Sequence, residues 1–330
     1  MKIIKEFLLI FLCVNTFLAE KVLDFTKTRV LLIGIDGILS TCLNKIDNSV
    51  MDMMKKKGSS TMFARTAIES LSGPGWSGIL CGMNTETTGV TSNEWTAPWI
   101  FGKKSKITPI TGLNKPFPCI FEEIKKQKPD ARVVGFFSWD WFMNLGNMSI
   151  PDSLDKEYVC ITDDLKTSIE CDVEALEKAK LTIDQDFDFF FLYIASLDIS
   201  GHTDKFCSDK YVERFNQLNK AILEIFDYLK EKGIFDTTHI ILTTDHGASY
   251  MTEWHGEQTD DNLYVPWMIM GPGIKSNYKI ENYTKNLDTS PTIMKLFGLK
   301  PNKEWRRDSE AVDEVFEIEN DLEEKFLNSM

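Results

Sequence analysis

The sequence VLLIGIDG at residues 30–37 predicts a buried strand that ends in a turn at Asp36. Its apolar, partly β-branched composition lacks polar alternation, which is typical of a strand covered on both faces of a parallel sheet. Similar runs recur along the chain and alternate with stretches of helical periodicity. They lie at residues 132–137, 189–194, 239–243 and 266–270. The sequence therefore predicts an α/β fold with a mostly parallel central sheet and helices on both faces.

The longest stretch of helical periodicity lies between the runs 189–194 and 239–243. Apolar residues recur at helical spacing from Val212 to Leu229, and Gly233 marks the end of that helix. With 330 residues, 43% of them hydrophobic, the chain is long enough for one large domain over residues 20–330. The less regular segment at about 91–183 predicts an irregular inserted cap.

Residues 1–19 predict a cleaved secretory signal. Lys2 and Lys5 precede an apolar run from Phe7 to Leu12, although a buried N-terminal strand or helix is the alternative. No later segment has the roughly twenty continuous apolar residues that a membrane span requires. We therefore expect a protein that is secreted or resides in the lumen of the secretory pathway.

The cysteines and two asparagines agree with export. Outside the signal segment the chain has six cysteines, an even number that favours disulfides, and Cys160 with Cys171 is the most local pairing. Asn147 in NMS and Asn282 in NYT match the glycosylation acceptor pattern.

The net charge restricts the class of partner. A formal charge of −13 makes a nucleic-acid backbone an unfavourable partner. A small phosphate-bearing substrate remains compatible, because bound dications reverse the local field of a site.

Two residues in the first third of the chain are candidates for chemistry at the strand ends. Asp36 follows the first predicted strand, at the edge of an open α/β sheet where ligands bind, although Asp before Gly is also a common turn. Ser72 lies in SLSGPGWSG, before a Gly-Pro-Gly turn and the start of a short helix. Free amides and the helix dipole there suit a nucleophile that carries a phosphoryl group. An ordinary helix cap is the alternative role of Ser72.

Three of the four histidines follow predicted strands in polar, glycine-flanked loops. Asp198 and His202 lie four residues apart in SLDISGH, where a strand-end loop lets both point at one ion. Asp245 and His246 are adjacent in TTDHG, so they serve one ion through a turn or bridge toward two ions. His255 follows in EWHGE. Imidazole and carboxylate together suit zinc, and the set predicts a dinuclear metal site.

The order and spacing of these motifs resemble the alkaline phosphatase superfamily, and within it the type I phosphodiesterase and nucleotide pyrophosphatase branch. The resemblance extends from VLLIGIDG through the Ser72 segment, GHTD, TTDHG and HGE to VPWMIMGPG and LDTSPTIMKLFGL. It implies an alkaline-phosphatase-like catalytic domain with two zinc ions. One zinc would be held by Asp36, Ser72, Asp245 and His246, and the other by Asp198, His202 and His255.

The resemblance also implies that Ser72 attacks phosphorus and that water hydrolyses the resulting phosphoserine. Gly75 departs from the pyrophosphatase pattern, which has Asn three residues after the nucleophile to hold a phosphate oxygen. A backbone amide at the helix start or Asn93 would then supply the missing donor. Trp76 stands where the formylglycine signal of sulfatases requires Arg, which disfavours sulfatase activity through that cofactor.

Several tryptophans are candidates for stacking a nucleobase or covering a choline or lipid head group. They are Trp76, Trp95, Trp99, Trp139 and Trp141. Packing in the core or in a lid is their more common role, since large aromatic side chains are usually buried.

The expected function is a secreted zinc-dependent phosphodiesterase or nucleotide pyrophosphatase that acts on a small phosphoester or nucleotide. The same fold with phosphomonoesterase or ethanolamine-phosphate transferase activity is one alternative. A non-catalytic binding ectodomain is the other, although such a domain would be expected to lack a metal ligand or the nucleophile.

Overall fold

The computed structural model describes residues 27–96, 117–145, 153–160 and 164–317. The predicted signal segment 1–19 lies outside these residues, as does Asn147. The strands are β1 Arg29–Ile35, β2 Gly58–Arg65, β3 Val133–Phe137, β4 Lys156–Val159, β5 Phe189–Ile194, β6 Thr238–Thr243, β7 Tyr264–Met270 and β8 Tyr278–Lys279. The α-helices of the described residues are α1 Ser49–Lys57, α2 Ser72–Cys81, α3 Thr85–Thr88, α4 Ile120–Gln127, α5 Leu165–Asp184, α6 Ser196–Asp204, α7 Asp209–Glu231, α8 Asp260–Leu263 and α9 Thr289–Leu296.

All eight strands form one mixed sheet, in the order β4-β3-β5-β1-β6-β7-β2-β8. The pairs from β4 to β6 are parallel, whereas β7 is antiparallel to both β6 and β2. The predicted α/β fold with a mostly parallel sheet is confirmed. Each of the five predicted strands is present, and the strands that the sequence analysis missed are β2, β4 and β8.

Each face of the sheet carries its own apolar core. Along β1, Val30 and Leu32 belong to one core, while Leu31 and Ile33 belong to the other, as the two-residue period of a strand requires. Helices α2, α4 and α9 cover the first face, and α1, α5 and α7 cover the second. Full burial of one such aliphatic side chain contributes about 1.5–3 kcal/mol, so the double coverage explains why β1 is apolar throughout.

The helix predicted from the stripe Val212 to Leu229 is α7. Ser208 caps its N-terminus by accepting the amide of Tyr211, and Gly233 follows its end with a positive φ of 70°.

An inserted cap within about residues 91–183 stays a prediction, whereas most of the described residues of that segment belong to the central domain. They form β3, β4, α4 and nearly all of α5, which belong to the sheet and its flanking layers. The segment is irregular in sequence because its two strands are short and β4 lies at the sheet edge, where little apolar patterning is required.

Three disulfides are present, as the even number of cysteines suggested. They join Cys42 to Cys207, Cys81 to Cys119, and Cys160 to Cys171. The first connects the chain after β1 with the turn between α6 and α7, across 165 positions of sequence. Among the described helices, none combines the length and the apolar character needed to cross a bilayer.

Candidate metal and nucleophile site

The candidate site lies where three neighbouring central strands end. In the sheet β1 lies between β5 and β6 and is parallel to both, so the carboxyl ends of the three strands meet at one edge. Asp36 directly follows β1, Asp198 lies just beyond β5, and Asp245 follows β6. All seven residues of the predicted metal set come together there.

Asp198 and His202 lie on a helix rather than on the predicted loop. Both belong to α6, which begins two residues after β5. A spacing of four residues places two side chains on the same face of a helix, so the convergence expected of a loop is achieved by helical periodicity. Asp198 Oδ2 lies 3.3 Å from His202 Nε2.

Asp245 and His246 converge through a turn. Strand β6 ends at Thr243, and the chain bends at Asp245 before the alternation of an extended strand can separate the two side chains. His246 Nε2 lies 3.3 Å from Asp245 Oδ2 and 3.3 Å from Asp36 Oδ1. Of the two alternatives left open by the sequence, the structure has the turn.

Ser72 is the first residue of α2 and points at this histidine. Its Oγ lies 3.2 Å from His246 Nε2. We refer to Asp36, Ser72, Asp245 and His246 as the nucleophile cluster.

We refer to Asp198, His202 and His255 as the outer cluster. His202 Nε2 lies 3.0 Å from His255 Nε2, and Asp198 Oδ1 lies 3.7 Å from His255 Nε2. The same Asp198 oxygen lies 4.0 Å from His246 Nε2. Asp198 therefore faces both clusters.

Each histidine of the site has its Nδ1 atom next to a backbone carbonyl. The carbonyls for His202, His246 and His255 are those of Glu253, Gly247 and Ser70, at 2.7, 2.8 and 2.9 Å. An Nδ1–H that donates to a carbonyl leaves the Nε2 lone pair directed at the centre of the site, as in metal-binding histidines. Two such lone pairs face each other at 3.0 Å between His202 and His255, which requires a cation or a proton between them.

The carboxylates give an independent test of whether a metal fits. One oxygen each of Asp36, Asp198 and Asp245 is buried and has no hydrogen-bond donor in the described part of the chain. Burying carboxylate oxygens without a partner is unfavourable by several kcal/mol. These oxygens surround His246, and the donor set of carboxylates, imidazoles and one hydroxyl suits zinc. The residues therefore fit bound metal ions.

In the metal-free chain the pKa values of His246 in the nucleophile cluster and His255 in the outer cluster are shifted in opposite directions. Burial by itself lowers the pKa of His246, but the carboxylates of Asp245 and Asp36 raise it to about 10. Burial and the charge of His246 lower the pKa of His255 to about 4. Burial and neighbouring Asp36 raise the pKa of Asp245 well above its usual range. A proton held among the carboxylates thus takes the place of a cation, and metal binding would release it.

Two side chains that the sequence analysis did not assign to the metal site hold Asp36 from behind. The hydroxyl of Tyr193 donates to Asp36 Oδ2 at 2.6 Å, and Trp76 Nε1 donates to the same oxygen at 3.0 Å. Asp36 Oδ1 is left directed toward the site. Burial, together with the charge of Asp36, raises the pKa of Tyr193 well above 10, so its hydroxyl remains a donor. The hydroxyl inside the apolar run FFFLYI is the sequence signal that could have identified Tyr193.

Trp76 was a candidate for substrate contact, and its position does not suit that role. The side chain is fully buried, and its ring packs against Phe191 and edge-on against Tyr193. Trp76 therefore supports the Asp36 carboxylate instead of forming a surface for a substrate.

Gly75 packs directly against the loop that carries Asp245. A Cβ atom at Gly75 would lie 2.7 Å from the Asp245 carbonyl oxygen and 2.8 Å from Asp245 Cβ, which is closer than real contacts allow. The amide of Gly75 donates within α2 to Leu71, at 2.9 Å. Neither a side chain nor the amide at this position is therefore free to hold a phosphate oxygen.

Asn93, the other candidate donor, lies beside the nucleophile. Its Oδ1 accepts the amide of Gly73, the residue after Ser72, at 2.7 Å, and its side chain is exposed. The carboxamide oxygen is thereby fixed, and the carboxamide nitrogen is oriented away from the Gly73 amide.

Of the remaining aromatic candidates, Trp141 lies next to Gly73. Trp95 and Trp141 are buried, and a half-buried Trp139 stacks on Trp141 with ring centroids 5.0 Å apart. Trp99 lies outside the described residues. Asn282 is exposed and stays a predicted glycosylation site.

Comparison with known proteins identifies the family. The model of the family described as type I phosphodiesterase / nucleotide pyrophosphatase matches residues 30–323. Among curated proteins, a GPI ethanolamine phosphate transferase 1 of Chaetomium globosum is 33% identical over 92 residues, which are 27% of this chain and 10% of the relative. An arylsulfatase K of Bos taurus is 30% identical over 79 residues, which are 23% of this chain and 15% of the relative. The chain thus spans only a small part of the curated relatives it matches.

Solved structures share the fold over nearly the whole described chain. Murine ectonucleotide pyrophosphatase / phosphodiesterase 5 superposes with a TM-score of 0.66 at 13% identity, covering 87% of this chain and 100% of that chain. A 2-O glycosaminoglycan sulfatase gives a TM-score of 0.66 at 14% identity, covering 88% of this chain and 74% of the sulfatase. This chain therefore shares the fold of these phosphodiesterase and sulfatase structures.

Proposed function

We propose that this chain, which belongs to the type I phosphodiesterase / nucleotide pyrophosphatase family, is a zinc-dependent phosphodiesterase or nucleotide pyrophosphatase-like hydrolase. The observation that carries the proposal is the pair of imidazole nitrogens of His202 and His255, 3.0 Å apart and both with Nδ1 next to a backbone carbonyl. Together with the three carboxylate oxygens that lack donors, they form a site that is complete only with cations.

The two clusters would hold one zinc ion each. The nucleophile cluster offers two carboxylates, one imidazole and the Ser72 hydroxyl, and the outer cluster offers Asp198 with two imidazoles. Bound zinc supplies a Lewis acid that lowers the pKa of a nearby hydroxyl and stabilises negative charge on reacting oxygens.

Ser72 is the proposed nucleophile. Its Oγ forms a bond to phosphorus while the bond from phosphorus to the leaving oxygen breaks, which leaves a phosphoserine. Water then attacks phosphorus from the side vacated by the leaving group, and the Ser72 oxygen departs. With a diester substrate the phosphoseryl group keeps its second ester and one negative charge, which the helix dipole stabilises at Ser72, the first residue of α2.

The non-bridging phosphate oxygens need a donor near Ser72, and we assign the side-chain nitrogen of Asn93. Three other groups at the start of α2 are not available: the Gly73 amide donates to Asn93, Pro74 has no N–H, and the Gly75 amide donates to Leu71. The amide of Ser72 itself is a second donor for the same oxygens. A preorganised donor of this kind contributes about 2.7–4 kcal/mol to transition-state stabilisation.

The test of the proposed function is the variant Ser72→Ala. We expect turnover of bis-nitrophenyl phosphate to fall by at least about 10³-fold, because the variant lacks the hydroxyl that attacks phosphorus. Zinc content should stay at about two per chain, since six other ligands remain. Zinc is measured by elemental analysis after removal of unbound metal.

The unsubstituted protein is assayed in parallel, loaded with zinc and after chelation, on bis-nitrophenyl phosphate, nitrophenyl phosphate and a nucleoside triphosphate. Zinc-dependent diester or nucleotide cleavage supports the proposal. Normal turnover by Ser72→Ala would contradict the nucleophile assignment, and absence of zinc-dependent activity on every substrate would favour a binding domain.

Phosphoryl transfer to an alcohol is the second candidate function. It is favoured by the matches to GPI ethanolamine phosphate transferases, although each covers about a quarter of this chain. The same phosphoserine would then be attacked by an acceptor hydroxyl instead of water. Product analysis with an added alcohol separates the two, since a transferase forms the new diester in preference to free phosphate ester.

Sulfatase activity through formylglycine is not proposed, in spite of the shared fold. The tryptophan at the Arg position of that signal, Trp76, is buried and bonded to Asp36. We also propose that the protein acts in the secretory pathway or outside the cell, because its three disulfides suit an oxidising compartment.

A further inference from the structure

Helix α6 carries two ligands of the outer cluster, yet it lacks a capping residue of its own. Ala195 precedes it and has no side chain that can accept an amide. The hydroxyl of Ser196, its first residue, instead accepts a hydrogen bond from Arg214 Nε at 2.6 Å. The first amides of a helix have no partner within the helix, so a buried helix start needs an acceptor from elsewhere.

Asp172 supplies that acceptor from α5. Its Oδ1 accepts the amide of Ala195 at 3.2 Å, and its Oδ2 accepts the amide of Ser196 at 3.0 Å. The Asp172 side chain is fully buried. One carboxylate thus binds both amides at the point where β5 turns into α6.

Asp172 is itself fixed by two further elements. Ser138, which follows β3, donates its hydroxyl to Asp172 Oδ1 at 2.8 Å. Arg214 of α7 is also buried, and its Nη2 lies 3.6 Å from Asp172 Oδ2. A buried carboxylate that is paired and hydrogen-bonded on both oxygens has one orientation, so it connects the start of α6 rigidly to β3, α5 and α7.

The position of α6 matters because Asp198 lies two residues beyond Ser196. Asp198 Oδ1 lies 3.7 Å from His255 Nε2 and 4.0 Å from His246 Nε2, so it faces both clusters. The Asp198 carboxylate cannot move toward Gly37 to restore these distances, because the two residues are already in close contact. A Cβ atom placed on Gly37 would lie only 2.7 Å from Asp198 Oδ1. A shift of the first turn of α6 therefore changes the distances from Asp198 to both histidines.

We propose that Asp172, paired with Arg214, is a positioning residue of the metal site. It acts through the backbone of Ala195 and Ser196 and sets where the Asp198 carboxylate and the His202 imidazole lie. This inference rests on the proposed metal-dependent function, and none of the metal ligands contacts Asp172 through its own side chain in the described structure.

The test is Asp172→Asn in the full-length protein. Asparagine keeps the shape but has only one acceptor oxygen, so one of the two amides at the start of α6 loses its partner. We expect zinc affinity of the outer cluster to fall by about 10–100-fold, the usual range for groups that orient metal ligands. Affinity is measured by competition with a chromophoric chelator. The visible spectrum of the cobalt-substituted protein is recorded as a second readout, because it reports ligand geometry rather than stability.

Asp308→Asn is the matched control. Asp308 is also buried and accepts three hydrogen bonds, from the Asn84 amide, the Asn84 side chain and Thr87 Oγ1, but it is not bonded to any element of the metal site. Its loss should leave zinc affinity and the cobalt spectrum unchanged. Turnover of Asp172→Asn should recover when free zinc is raised in the assay, because the defect lies in affinity.

If Asp172→Asn matches Asp308→Asn in zinc affinity and cobalt spectrum, the positioning role is wrong while the proposed function stands. If the unsubstituted protein binds no zinc or cobalt, the proposed function fails and this inference fails with it. Should Asp172→Asn not fold, Arg214→Lys decides. It keeps the charge but cannot bond Ser196 and Asp172 together, so we expect a weaker shift in the same direction, and an unchanged affinity would overturn the proposal.

Discussion

The two clusters of the site share ligand types but differ in burial and charge. In the nucleophile cluster the side chains of Asp245 and His246 are fully buried, whereas the His202 side chain of the outer cluster is 39% exposed. The first cluster combines two carboxylates with one imidazole, and the second combines one carboxylate with two imidazoles. A dication in the first would be neutralised by its carboxylates, and a dication in the second would keep a positive charge.

Because of this difference, two histidines at neighbouring positions of the site favour opposite protonation states. The carboxylates around His246 favour its charged form, and the burial of His255 beside His246 favours its neutral form. The more exposed outer cluster with its residual charge suits the leaving oxygen of a substrate, and the buried, neutralised cluster suits activation of Ser72.

The largest change in zinc binding is expected from Asp198→Asn, because Asp198 faces both clusters. It should weaken zinc binding in both, whereas Asp36→Asn should affect the nucleophile cluster alone. At limiting free zinc we expect close to no bound zinc for Asp198→Asn and about one per chain for Asp36→Asn. Elemental analysis after dialysis against a metal buffer measures the difference. Retention of one zinc by Asp198→Asn would show that the two clusters are independent.

A smaller effect is expected on how the free energy of unfolding of the metal-free chain depends on pH. His246 has a folded pKa of about 10, above its ordinary value, so its stabilising contribution is complete below about 6.5 and is lost as the pH rises through 10. His255 has a folded pKa of about 4, below its ordinary value, so its protonation destabilises the fold as the pH falls from about 6.5 through 4. The combined contribution of these two histidines to the stability of the chelated protein should therefore be greatest near pH 6.5. Bound zinc should remove the loss at high pH, because it holds the imidazoles unprotonated.

Urea unfolding at several pH values checks the shape of this curve, and histidine resonances in NMR check the assignments, since the chain has only four histidines. Two histidines that both titrate close to their ordinary pKa in the chelated protein would remove the electrostatic contrast between the clusters.

The smallest effect is expected from Tyr193→Phe, which touches the nucleophile cluster only. Asp36 Oδ2 loses the hydroxyl of Tyr193 but keeps the indole N–H of Trp76. We expect zinc affinity of the nucleophile cluster to fall by about 10-fold, at the low end for groups that orient a ligand. Competition with a chelator measures the affinity. Tyr228→Phe is the control, because the Tyr228 hydroxyl of α7 donates to Asp184 of α5 and not to a residue of either cluster. Equal affinities for the two variants would mean that Trp76 alone orients Asp36.

The structure differs from the sequence prediction mainly where tertiary contacts decide local structure. Strands β4 and β8 have four and two residues, and β2 mixes polar with apolar residues, so these strands exist because they pair with neighbours. The segment SLDISGHTD contains Gly and β-branched residues and has no cap of its own, and it is helical with its first amides bonded to Asp172. No local sequence pattern predicts these short strands or the helical state of α6.

The sequence by itself determined the doubly covered central strands, helix α7 and the residues that meet at the candidate metal site. Runs of apolar residues require burial on both faces, and scarce histidines next to strand ends have few other uses. Only the tertiary structure decided that Asp198 faces both clusters, which oxygen of Asp36 faces the site, and that Tyr193 and Trp76 hold the other oxygen. These depend on distances between residues far apart in the chain, such as the 157 positions that separate Asp36 from Tyr193, and local sequence carries no information about such distances.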